Sequence, residues 1–131
     1  MDIRFRGPPG LSADNWAELV KHTLEGLARG YWHRYTELRG KGLLSELPDS
    51  GVVWRDDPGY GSGVERFASP EQSASEGWVD CDRAVLWALL DLWYRGQQAT
   101  IRTAYSERHG DMHVLIRLPD NSLFDPAELF R

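Results

Sequence analysis

The stretch that decides the fold is Gly77-Trp78-Val79-Asp80-Cys81-Asp82-Arg83, followed directly by residues 84–93, which read AVLWALLDLW. The first part can begin a helix, because Asp80 can cap it and Asp82 lies in the first turn, where the helix dipole favours acidic side chains. The second part is apolar nearly all round, which is typical of a buried central helix. We therefore predict that Cys81, the only cysteine of the chain, lies at the N-terminus of a core helix.

A cysteine in this position has two interpretations. Free backbone N–H groups and the helix dipole lower the pKa of a thiol, and the thiolate is the nucleophilic form. A single cysteine is also common as a small buried apolar residue with no chemical role. The helix alone does not decide between a nucleophile and a packing residue at Cys81.

Composition limits the class of protein. A chain of 131 residues with 41% hydrophobic residues is predicted to form one domain with a real core. The net charge is −5 and the basic residues are scattered, so we expect no nucleic-acid partner. A single cysteine excludes an internal disulfide. Neither a membrane span nor the apolar centre of a signal peptide is found, so we expect a cytoplasmic protein.

The N-terminal half is predicted to be one helix followed by a long loop region. Residues 1–11 form a non-helical lead-in, and Ser12 or Asp14 can cap a helix over residues 12–38. Residues 39–76 are rich in glycine and proline, which predicts an irregular region. Inside it we expect a short strand at 52–54, a turn at Asp56-Asp57-Pro58, and a short helix capped by Ser69 with Pro70 in first position.

The C-terminal part is predicted to be a small antiparallel sheet. Gly96 ends the central helix, strands follow at 100–105, 112–118 and 122–125, and residues 119–121 form a tight turn. With a three-residue turn, the residue numbers of pairing partners add up to about 240, so Asp125 faces Leu115 and shares a strand face with His113. A two-residue turn would put Asp125 and His113 on opposite faces. The fold class is α+β, with both long helices packed on this sheet.

Three residues, in the order cysteine, histidine, aspartate, have the chemistry of a nucleophilic site. Cys81 supplies a thiolate, His113 an imidazole that shares its proton, and Asp125 a carboxylate that orients the imidazole. The backbone N–H of Cys81 can serve as the first oxyanion donor. The second donor stays open among the side chains of Gln72, Trp54 and Trp78.

A metal site is the competing interpretation of the histidines. His109 and His113 are four residues apart with Asp111 between them. Metal ligands at this spacing require a helix, and Gly110 followed by a strand argues against one. We therefore predict no metal and no cofactor.

The ordered set of motifs resembles the transglutaminase-like branch of the papain-type cysteine proteinase fold. The resemblance covers roughly residues 52–128 and rests on four pieces of sequence, separated by the apolar helix and a strand: Phe67-Ala68-Ser69-Pro70, Gly77-Trp78-Val79-Asp80-Cys81-Asp82, Met112-His113-Val114 and Leu123-Phe124-Asp125-Pro126. It implies Cys81 as nucleophile, His113 as general base and acid, and Asp125 as orienting residue. Two departures are the Trp78-Val79 pair between Gly77 and Asp80, and a short interval from His113 to Asp125.

Together these features predict a single domain over residues 1–131 with a catalytic core at 77–131. The function we expect is cysteine-dependent acyl transfer on amide or peptide bonds, as a thiol peptidase or amidase, or as a transglutaminase. The substrate is then a protein or peptide. The alternative is a catalytically silent structural or binding module of the same fold, for example a virion-associated component of a bacteriophage with an assembly partner.

Overall fold

The computed structural model describes residues 2–4, 12–55, 67–106 and 111–131. It combines helices with a small sheet, which confirms the α+β class at this level. The helical elements are α1 (Ala13–Gly40), α2 (Pro70–Glu76), α3 (Cys81–Tyr94) and two 3-10 helices, Leu47–Asp49 and Pro126–Phe130. The strands are β1 (Asp2–Arg4), β2 (Val53–Trp54), β3 (Trp78–Val79), β4 (Thr100–Ser106), β5 (Asp111–Arg117) and β6 (Leu123–Phe124).

Helix α1 confirms the prediction of a long N-terminal helix and continues two residues beyond the predicted end at residue 38. Ser12 is the N-cap, and its side chain accepts a hydrogen bond from the backbone N–H of Asn15 at 3.2 Å. The apolar spacing of three and four places one face of the helix in the core, with Val20, Leu24, Ala28, Tyr35 and Leu38 buried.

The region 39–76 contains the short strand and the short helix predicted within it. They are β2 and α2, and the first 3-10 helix is an additional element. The cap of α2 is as predicted: the Ser69 side chain accepts from the backbone N–H of Gln72 at 3.1 Å, and Pro70 is the first helical residue. The predicted turn at Asp56-Asp57-Pro58 lies outside the described residues.

Helix α3 is the centre of the core, as its sequence predicts. Every residue from Asp82 to Asp91 is buried, and the Trp87 side chain has no exposed surface. Gly77, in the left-handed conformation at φ 84°, ends α2 just before it, and Gly96, also at φ 84°, follows its C-terminus. None of the helices in the described part of the chain is long and apolar enough to cross a membrane.

Strand β5 lies in the middle of a four-stranded antiparallel sheet, with β4 along one edge and both β1 and β6 along the other. In the β5–β6 pair, Ile116 faces Phe124 and Arg117 faces Leu123, so partner numbers add up to 240. The N–H of Leu118 donates to the carbonyl oxygen of Ser122, which leaves residues 119–121 as the predicted three-residue turn. The predicted register is therefore confirmed.

Two strands were not predicted from the sequence. Strand β1 lies in the lead-in and pairs with β5, and β3 pairs with β2 in a separate two-stranded parallel sheet. Both are only two or three residues long, too short for alternation to be visible.

The two long helices pack on the main sheet. Helix α1 contacts β4, where the Thr103 hydroxyl donates to the carbonyl oxygen of Ala17 at 3.1 Å, and α3 contacts β5. Ile101, Val114 and Ile116 supply the buried apolar face of the sheet. This confirms the expected packing of the Cys81 helix against the C-terminal strands.

Candidate active site

Cys81 is the first residue of α3, directly after its cap. The Asp80 side chain accepts a hydrogen bond from the backbone N–H of Arg83 at 3.1 Å, which is the capping contact predicted from the sequence. The thiol is half-buried, while Asp80 and Asp82 on either side of it are buried, with 7% and 4% of their surface exposed. The sulfur thus lies at the positive end of the buried central helix.

The environment of the thiol differs from the expectation of a lowered pKa. Burial raises the pKa of Cys81, and the charges of Asp82, Asp80 and Asp125 raise this pKa further. Removing water destabilises a thiolate, and nearby carboxylates oppose a second negative charge. Burial and these charges therefore favour the protonated thiol of Cys81.

Asp125 lies at the end of the hairpin, between β6 and the second 3-10 helix. Its Oδ1 atom accepts a hydrogen bond from the backbone N–H of Ala127 at 3.0 Å, so the carboxylate caps that short helix. The 3-10 helix packs against α3. Asp125 and Cys81 thus lie on elements that contact each other, and the charge of Asp125 is a minor cause of the raised pKa of the thiol.

The backbone of His113 lies in β5, where it pairs with Ala104 of β4 and with Asp2 of β1. One step beyond the observed β5–β6 register, Asp125 is opposite Leu115, in the same alternating position as His113. The side chain of His113 lies outside the described part of the structure. An imidazole contact with Cys81 or Asp125 therefore stays a prediction.

The three candidates for a second oxyanion donor lie in different surroundings. The Gln72 amide donates to Glu76 Oε1 at 2.9 Å on the exposed face of α2. The half-buried Trp54 ring has its centroid 5.5 Å from that of Phe130, and the Trp78 ring is buried beneath the guanidinium of Arg83. The choice among the three stays open.

Metal binding was the competing interpretation. Among the side chains that the structure describes, no three of histidine, cysteine, aspartate or glutamate are grouped so that they could hold a metal ion. His109 and the side chains of Asp111 and His113, which were considered for such a site, lie outside the described part.

Sequence reasoning missed two clusters of buried polar groups. In the first, Arg83 pairs with Glu76 through Nη1 and Oε2 at 2.7 Å and covers the ring of Trp78. In the second, Asp91 accepts hydrogen bonds from the Tyr35 hydroxyl and from the backbone N–H of Leu47. The only signals in the sequence are the charged residues themselves, placed in or beside an otherwise apolar helix.

No protein-family model, curated protein or solved structure matches the chain. Function must therefore be inferred from the residues themselves.

Proposed function

We propose that the protein is a cysteine-dependent acyl-transfer enzyme that acts on amide or peptide bonds. Cys81 is the nucleophile, His113 the general base and acid, and Asp125 the residue that orients the imidazole. The fold that goes with this proposal is the transglutaminase-like form of the papain-type architecture. Its nucleophile starts a central helix, and its other two residues come from the neighbouring sheet.

The observation that supports the proposal is the packing of the second 3-10 helix, which Asp125 caps, against α3, which begins at Cys81. Two residues that are far apart in the sequence therefore lie on elements that contact each other. The hairpin register supports it further, because the same register continued one residue beyond β6 would put Asp125 opposite Leu115, two residues from His113. A nucleophile, a base and an orienting carboxylate from separate elements are what this chemistry requires.

The proposed reaction proceeds in two stages. His113 takes the thiol proton of Cys81, and the sulfur attacks the amide carbonyl carbon while backbone N–H groups at the helix start bind the oxyanion. The C–N bond then breaks, His113 returns the proton to the departing amine, and a thioester remains. Water attacks the thioester in a peptidase or amidase, and an amine does so in a transglutaminase. Hydrolysis is the preferred outcome, because water is always available.

A second candidate is a catalytically silent binding or structural module. The observation in its favour is the raised pKa of the Cys81 thiol, caused first by burial and then by the neighbouring carboxylates. Unless an imidazolium offsets these effects, the sulfur stays protonated and unreactive at neutral pH. Such a module could be a component of a phage particle that binds an assembly partner.

Trapping of the acyl-enzyme tests the proposal. The full chain is incubated with a mixture of capped peptides, quenched in acid, and analysed by intact-mass and peptide mass spectrometry. We expect a thioester on Cys81 and cleaved or amine-exchanged peptides, both lost in Cys81→Ala while circular dichroism shows an unchanged fold. Full activity in Cys81→Ala would show that the nucleophile is wrongly assigned.

A further inference from the structure

We propose a binding site for a carboxylate of a peptide. It is formed by the guanidinium groups of Arg55 and Arg83 and by the ring of Trp78, between β2 and α3. The carboxylate is that of an aspartate or glutamate side chain or of a peptide C-terminus. The role of this site as a substrate subsite rests on the proposed function. In that role the site gives the enzyme a preference for acidic peptides.

The two guanidinium groups share one aromatic ring. The Cζ atom of Arg83 is 3.7 Å from the ring centroid of Trp78, and the Cζ atom of Arg55 is 5.1 Å from the same centroid. The electron-rich face of an indole attracts cations, which holds both groups at this ring. Arg83 is only 4% exposed, whereas Arg55 is exposed to solvent. One cation of the pair is therefore built into the fold and the other is accessible.

Only one of the two guanidinium groups is paired with a carboxylate of the described residues. Within the described part of the chain, Glu76 is the only carboxylate paired with either guanidinium, through Arg83 Nη1 at 2.7 Å. Hydrogen bonds from Gln72 and Arg83 hold the pKa of Glu76 below its usual range, and the charge of Arg55 adds to this effect. The guanidinium of Arg55 therefore has no ion-pair partner among the described residues and is open to an anionic ligand.

Arg83 also has unused hydrogen-bonding capacity. Its Nε atom is buried and has no hydrogen-bond partner within the described residues. A buried donor without a partner lowers stability, so such atoms indicate where a ligand or a water completes the network. A guanidinium binds a carboxylate through two parallel N–H groups, which makes a carboxylate the chemical group that fits here.

The position of the site links it to Cys81. Trp78 is in β3, and the chain passes from there through Asp80 directly to Cys81. The Asp80 side chain in turn binds the backbone N–H of Arg83. A carboxylate held at Trp78 would lie beside the start of α3, where it would select acidic peptides for the proposed reaction.

Binding is tested by NMR titration of the full chain in the Cys81→Ala background, so that no turnover occurs. Three alanine pentapeptides are compared. Two are capped at both ends and have a central glutamate or a central glutamine, and the third has no central polar residue and a free C-terminus. We expect the glutamate peptide, the free C-terminus or both to shift the Arg83 Nε–H resonance and to bind about tenfold more tightly than the glutamine peptide. The preference should weaken as salt is added.

Arg55→Gln provides the decisive variant, because Arg55 is exposed and its replacement leaves the core intact. We expect this change to abolish most of the preference for the carboxylate peptides. The matched control is Arg29→Gln, an exposed arginine on α1, which should retain it. Equal affinity for charged and neutral peptides in the parent, or an unchanged preference in Arg55→Gln, would overturn the inference. Because no turnover is measured, failure of the acyl-transfer proposal would appear separately.

Discussion

The carboxylate of Asp80 accepts a hydrogen bond from the backbone N–H of Arg83 at 3.1 Å, which begins α3 at Cys81. The same carboxylate raises the pKa of the Cys81 thiol. One side chain therefore has two opposing consequences: it positions the sulfur at the helix terminus, and its charge makes the sulfur less reactive.

These two effects can be separated by substitution of Asp80. Asp80→Asn retains a good capping side chain but removes the charge, so we expect a lower pKa of Cys81 and faster alkylation at pH 8. Asp80→Ala removes the cap as well and should lower the free energy of unfolding by about 1 kcal/mol. Urea denaturation and iodoacetamide kinetics measure the two quantities. Slower alkylation in Asp80→Asn would contradict the assigned electrostatic effect.

The buried carboxyl group of Asp91 should make the stability of the protein depend on pH. It is 5% exposed, and burial raises its pKa from 3.8 to about 6, although hydrogen bonds from Tyr35 and Leu47 and the charge of Arg39 oppose the shift. Between these two pH values the folded protein holds a proton that the unfolded chain has released. The stabilisation is therefore fully present below pH 3.8 and is lost as the pH rises through about 6.

The size of this effect is on the order of 3 kcal/mol. The side chain in Asp91→Asn cannot titrate, so the free energy of unfolding should depend less on pH. This variant also loses hydrogen bonds and is less stable overall. Urea denaturation from pH 4 to pH 7 measures the slope, with exposed Asp49→Asn as control. An identical slope in Asp91→Asn and the parent would show that Asp91 is not the titrating group.

Replacement of Ser73 by alanine should stabilise the protein. Its side chain is completely buried on α2, and its Oγ atom has no hydrogen-bond partner within the described residues. Ser73→Ala removes this unsatisfied hydroxyl with little change in volume, so the free energy of unfolding should rise by about 1 kcal/mol. The control is Ser75→Ala, on the exposed side of the same helix, which should change stability little. A destabilised Ser73→Ala protein would mean that the hydroxyl is satisfied.

The backbone conformation of Asn121 in the β5–β6 turn should decide which substitutions the turn tolerates. It has φ of 69°, in the left-handed region that asparagine and glycine tolerate better than other residues. Asn121→Ala should cost about 1 kcal/mol, while Asn121→Gly should be close to neutral. The turn sets the register that pairs Ile116 with Phe124, directly before Asp125, so this pair of variants also probes the site. Equal stability of the alanine and glycine variants would contradict the assigned backbone conformation.

Features that depend on neighbouring residues were predictable from the sequence. Ser12, Ser69 and Asp80 each cap a helix through a residue three positions ahead, so the residue types alone indicate the contacts. The β5–β6 register follows in the same way from the length of its turn.

Features that depend on distant contacts were not predictable. Asp91 binds Leu47 from 44 positions away and Tyr35 from 56 positions away, and no local pattern indicates either partner. The pKa of Cys81 was expected to fall because only its own helix is visible in the sequence. Burial is the main cause of the opposite direction, followed by the charges of Asp82 and Asp80, and burial arises only when the chain folds.

The most direct test of a thiol activated by His113 is the rate of Cys81 alkylation by iodoacetamide at pH 6. With a thiolate–imidazolium pair, the parent should react far faster than a model thiol, which is less than about 1% ionised at that pH. The rate should then fall at least about tenfold in His113→Asn but not in the control His33→Asn. A parent rate no faster than a model thiol, or one unchanged in His113→Asn, would contradict the enzyme proposal and favour the silent module.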